Sequence, residues 1–133
     1  METRNRVWLA AVLDVALIVV FAAVGRSSHG EALAPLGLWT TTWPFLAGWA
    51  VAVLVGRAWR RPLAVWPTGV VAWVVTVALG MLLRVASGQG IALSFVIVAT
   101  IVLGVFLVGW RLVAALVLRV TRAGRRGATG TVR

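Results

Sequence analysis

The chain has 133 residues, of which 62% are hydrophobic and 12% charged, with a net charge of +10; an ordinary soluble domain is about half apolar and about a quarter charged. With a mean hydropathy of +1.02, this is the composition of an integral membrane protein, long enough for one small bundle and with nothing left over for a soluble domain. There is no cysteine, which excludes disulfides, thiolate metal sites and cysteine nucleophiles, and all thirteen basic residues are arginine, as fits a GC-rich genome.

The first apolar segment is "VWLAAVLDVALIVVFAAV", residues 7–24, about 27 Å of helix and just enough for a hydrocarbon core of about 30 Å. Arg4 and Arg6 precede it and small residues close it, as in a secretory signal peptide, but Asp14 inside the run and three further spans downstream indicate an uncleaved first helix. It ends at Gly25-Arg26, and a loop with Ser27, Ser28 and His29 follows.

The second span is expected over residues 43–59, with Thr42 or Trp43 as cap and Pro44 at the first helical position, where proline costs nothing. Arg57 then snorkels and Trp59 marks the interface. Gly48, Ala52 and Gly56 form a small-residue stripe along it.

The third span, residues 66–83, again opens on a proline, Pro67, and carries the stripe Ala72, Thr76 and Gly80. In lipid, helices associate by close backbone approach, so these two stripes are expected to face neighbouring helices, including each other. Trp49 and Trp73 lie deeper than the other tryptophans and are read as packing residues. A short hairpin, "VASGQG", leads to the fourth span, residues 91–118, which adds Thr100 and Gly104 at the same four-residue spacing. The chain thus divides into a transmembrane domain, residues 1–119, and a basic, glycine-rich tail, residues 120–133, expected to be disordered.

Arginine counts set the orientation. With the amino terminus inside, ten arginines fall on the cytoplasmic side against two outside, Arg26 and Arg84, so both termini are expected in the cytoplasm. The fold class is therefore an all-α, polytopic four-transmembrane-helix bundle of the cell membrane. Arginines gathered at the ends of apolar runs, instead of on one basic domain, argue for anionic lipids at the cytoplasmic face and against nucleic acid.

An ionisable group within a span is costly unless neutral, paired or hydrated. Asp14 lies eight residues after Arg6, and Arg111 lies eight residues before Arg119. On antiparallel first and fourth helices, both sit about 12 Å in from an arginine anchor and can meet. Three readings stay open: a structural ion pair, a proton or substrate relay, and an interfacial Arg111 with a protonated Asp14 at a hydrated gap. At the other end, Arg26, His29, Arg84, Ser87 and Gln89 are expected to form a polar vestibule suited to an anionic headgroup or substrate.

The inventory argues against an enzyme. One histidine and three acids, Glu2, Asp14 and Glu31, supply no paired carboxylates, no zinc-protease motif, no nucleophile elbow and no phosphate-binding glycine loop. No metal or cofactor is expected.

The segments "VGRSSHGE", "TWPFLAGW", "RRPLAVWPTGVVAWVVTVALGMLLR" and "SGQGIALSFVIVATIVLGVFLVGWR" resemble an uncharacterised family of small four-helix membrane proteins from high-GC Gram-positive bacteria, filed as a domain of unknown function. The resemblance runs from about Val7 to Arg119, implies fold and location, and transfers no catalytic residue. A more distant likeness, to small multidrug resistance exporters with an acidic residue in the first helix, would make Asp14 that residue; the chain lacks the tyrosines of such sites. Two functions follow: a non-catalytic accessory or interaction module that binds itself or a membrane-protein partner, or an oligomeric proton-coupled transporter using Asp14.

Overall fold

The computed structural model describes residues 3–28, 30 and 34–130. Its elements are α1 (Thr3–Ser28), α2 (Pro35–Val55), α3 (Val70–Ala86), which is led in by a π-type turn at Val65–Gly69, and α4 (Leu93–Gly130). The described residues contain no strand. Each of the four helices, α3 counted with its lead-in, is long and apolar enough to cross a membrane.

The boundaries depart from expectation at the end of α1, which takes in Ser27 and Ser28, and more widely in α2 and in the tail. α2 begins at Pro35, nine residues before Pro44. Ala34 is extended and Pro35 takes the favoured first position, while the hydroxyls of Thr40 and Thr42 donate back to the carbonyls of Leu36 (2.9 Å) and Leu38 (2.6 Å), drawing the threonine run into the helix. Pro44 is therefore a buried interior residue. Having no N–H, it leaves the carbonyl of Thr40 without its helical donor. Gln89, from the α3–α4 loop, supplies the missing bond through Nε2 at 3.0 Å. At its other end α2 stops at Val55, and Arg57 and Trp59 lie in the following turn, outside the helix.

The second of the wider departures is the tail. α4 continues through residues 120–130, which had been expected to be disordered. Alanine and arginine are good helix formers, and extending an existing helix is much cheaper than nucleating one. Thr121 also donates its hydroxyl to the Val117 carbonyl at 2.8 Å.

The small-residue stripes set how closely the helices approach. A methyl group added at Gly48 would lie 3.0 Å from the Thr76 carbonyl oxygen and 3.3 Å from the Gly80 nitrogen, so α2 and α3 meet backbone to backbone. Ala52 and Ala72, in the same two stripes, are buried, and Gly56 lies against Val71. Gly80 receives the ring of Phe45, and Gly104 receives the indole of Trp73. The Trp73 Nε1–H also donates to the Thr100 carbonyl at 2.8 Å, fastening α3 to α4; the Thr100 hydroxyl turns back to Val96. Ile18, Phe21, Phe45, Leu103 and Leu107 fill the centre, with Phe21 edge-on to Phe45 at 5.3 Å between centroids. Large apolar side chains such as Val12, Leu54, Val74, Ile101 and Val105 point outward, as on a bundle whose surroundings are themselves apolar.

Candidate functional site

At the centre of the bundle, Asp14 of α1 and Arg111 of α4 are 2% and 1% exposed. They pair bidentately: Arg111 Nη1 donates to Oδ1 and Nη2 to Oδ2, both at 2.8 Å. Two indoles complete the carboxylate's shell. Trp110 Nε1 donates to Oδ1 at 2.8 Å and Trp49 Nε1 donates to Oδ2 at 3.0 Å. Each carboxylate oxygen therefore accepts two hydrogen bonds.

The guanidinium is equally committed. Its Nη1 also donates to the Leu107 carbonyl at 2.8 Å, and Nε donates to the Pro62 carbonyl at 3.0 Å in the α2–α3 connection. Gly69 makes room for its stem, since a methyl group there would lie 3.0 Å from Cδ, and its Cζ lies over the Trp110 ring, 4.5 Å from the centroid. The α2–α3 connection is itself tied down by Thr68, whose hydroxyl donates to the Arg61 carbonyl at 2.6 Å. Burying two charges is tolerable only when geometry and remaining hydrogen bonds are both good. Here one cluster joins α1, α2, the α2–α3 connection and α4.

Of the residues singled out in the sequence, the structure brings Asp14 and Arg111 together. Trp49, read as a packing residue, is in addition a hydrogen-bond donor to Asp14, and Trp110 and Pro62 were not anticipated at all. Two signals in the sequence point to the indoles. Trp49 falls on the Phe45–Ala52 face, and Trp110 directly precedes the one arginine within an apolar stretch. An apolar-walled cavity of about 140 Å³ adjoins the pair, between Ala10 and Val53.

At the opposite end, Arg26, Arg84 and Gln89 line a cavity of about 310 Å³ with Phe21 and Phe95. Arg26 Nη1 donates to Thr41 Oγ1 at 3.0 Å, and Gly37 leaves space for its guanidinium. Arg84 donates to the Gly90 carbonyl at 3.2 Å and to Gln89 Oε1 at 3.1 Å, and lies over Phe95 at 4.4 Å. Ser87 is not among the residues lining this cavity; its hydroxyl donates to the Arg84 carbonyl at 3.1 Å and accepts from Gln89. His29 lies outside the described residues. Among those described, no group of three or more His, Cys, Asp or Glu is placed to hold a metal.

No curated protein and no solved structure matches the chain. The family model described as "Protein of unknown function (DUF3054)" matches residues 11–114, from the turn of α1 that carries Asp14 to the turn of α4 that carries Arg111, and the chain belongs to that family.

Proposed function

We propose that the chain is a non-catalytic module of the cell membrane, accessory to a partner or to further copies of itself, with both termini in the cytoplasm. The observation that carries this reading is the saturation of the Asp14–Arg111 cluster. A carrier must present its carboxylate to one side and then the other, whereas both oxygens of Asp14 are held by Arg111 and two indoles. The pair acts as a clamp. The orientation rests on the arginines: Arg6, Arg57, Arg60, Arg61, Arg119, Arg122, Arg125 and Arg126 belong to one end of the bundle, and Arg26 and Arg84 to the other. The more basic end is also the one suited to anionic lipids.

Two experiments test this. The chain has no native cysteine, so single cysteines report topology cleanly: one at Ser87 is expected to react with impermeant reagents in intact cells, and one at Ala123 only after lysis. The reverse pattern overturns the orientation. In proteoliposomes under a pH gradient, wild type is expected to carry no proton flux beyond that of empty vesicles; a flux lost in Asp14→Asn would replace the module reading with the transporter.

A further inference from the structure

The start of α1 and the C-terminal half of α4 do not close on one another. Between them runs a groove of about 760 Å³, walled by Leu9 and Leu13 on one side and by Val113 and Val117 on the other. Trp110 closes its deep end, where its indole is already turned to Asp14. Toward the end of the bundle the lining changes to Arg6, Arg122 and Arg125. From Trp110 to Arg122 and Arg125 is about 18–22 Å along the helix. The groove is thus apolar in its depth and cationic at its mouth.

We propose that this groove binds one anionic phospholipid, its acyl chain between α1 and α4 and its phosphate among the three guanidiniums. The inference rests on the membrane reading above and adds to it a defined site with a ligand class. Guanidinium groups take phosphate through paired hydrogen bonds, and basic pockets at the membrane surface bind anionic headgroups. Charge decides between this occupant and a helix from a second copy. Thirteen arginines against three acids in the chain mean that a second copy brings more positive charge to a mouth that is already positive. The positive lining continues on the other flank of α4, where Arg61, Arg119 and Arg126 line an adjoining groove together with Arg122.

The full-length chain, delipidated in a zwitterionic detergent, is titrated with phosphatidylglycerol, phosphatidylcholine and inorganic phosphate, and bound lipid is counted by native mass spectrometry. One phosphatidylglycerol per chain is expected, bound at least about tenfold more tightly than phosphatidylcholine, with inorganic phosphate a poor competitor. Arg122→Gln combined with Arg125→Gln should weaken it on the order of 30-fold, about fivefold for each arginine. Val117→Trp, at an exposed wall position where bulk does not threaten folding, should weaken it by narrowing the groove. Arg57→Asn combined with Arg60→Gln removes the same charge from the same end of the bundle and should leave affinity within about twofold. Equal affinity for the two lipids overturns the proposal, as does an equal loss in the Arg57/Arg60 variant. Competition by phosphate alone, or a dimer that Val117→Trp dissolves while lipid binding persists, overturns it too. Labelling of the Ser87→Cys and Ala123→Cys variants separates the failures: a lost site leaves the topology intact, whereas a lost membrane reading does not.

Discussion

Asp14 and Arg111 are individually costly and jointly tolerable, and the difference sets what their variants do. Asp14→Asn leaves a buried guanidinium without its counter-charge, and removal of one partner from a buried pair costs about 3–5 kcal/mol. Thermal unfolding in detergent should register that loss. Combining it with Arg111→Gln should recover part of it, because the desolvation burden goes with both charges; additive losses would mean the two residues do not couple. Trp49→Phe and Trp110→Phe each remove one bond to a charged acceptor, worth about 1.5–3 kcal/mol, so each should lower stability in the wild type and much less in Asp14→Asn. The pairing of Asp14 with Arg111 was legible because helical rise converts residue offsets into depth, and equal depths on antiparallel helices can be read from numbering. The indole donors were not legible in that way. Whether an Nε1–H turns inward depends on helix rotation and rotamer, which sequence spacing only partly constrains.

Among the elements, α2 carries the clearest lesson. A proline preceded by threonines looks like a helix start, and Pro44 fits that pattern locally; what overrides it is the earlier start at Pro35 with the threonine back-bonds, and the carbonyl that Pro44 orphans is taken up by a side chain about fifty residues away. Sequence patterns record which carbonyl a proline orphans but not which distant side chain will reclaim it. Gln89→Leu should therefore cost up to about 0.5–1.5 kcal/mol, since the Thr40 carbonyl it leaves is exposed, and this loss should shrink in a Pro44→Ala background, where residue 44 regains its own N–H. An undiminished loss would mean that Gln89 acts elsewhere. The small-residue stripes, in contrast, were readable, since close approach requires small residues at four-residue spacing and both stripes were present. Gly80→Leu, driven into the Phe45 ring, should lower thermal stability by about 1–3 kcal/mol. Gly25→Leu, where no atom lies within 4 Å of the added carbon, should change it little.

For the molecule as a whole, four apolar runs with flanking arginines gave the class and the number of helices, because apolar length is a property of sequence alone. The fate of residues 120–130 was less legible, since polar, glycine-containing composition suits both a disordered tail and a helix propagated from α4. A helix of 38 residues is about 57 Å long, nearly twice a hydrocarbon core of about 30 Å. Its two parts should differ in hydrogen exchange: slow from Ala99 to Arg111, where packing protects it, and orders of magnitude faster beyond Arg119, where the side chains described are exposed. Uniform protection along α4 would place its distal part against a partner.

The clamp also has a consequence for biosynthesis. Asp14 and Arg111 are 97 residues apart, so at about 5–20 residues per second the carboxylate is made roughly 5–20 s before its partner. During that interval α1 carries an acid worth about 2.5–3.5 kcal/mol against insertion at a helix centre. On the membrane reading proposed above, that acid narrows the margin by which the eleven Leu, Ile, Val and Phe residues of 7–24 hold α1 in the bilayer, and Arg111 relieves it when α4 arrives. Nascent chains halted after Leu107 should accordingly leave α1 extractable by alkaline carbonate to a greater extent than chains halted after Arg119, and Asp14→Leu should abolish the difference. Equal extraction of both lengths would show that α1 is secured without Arg111.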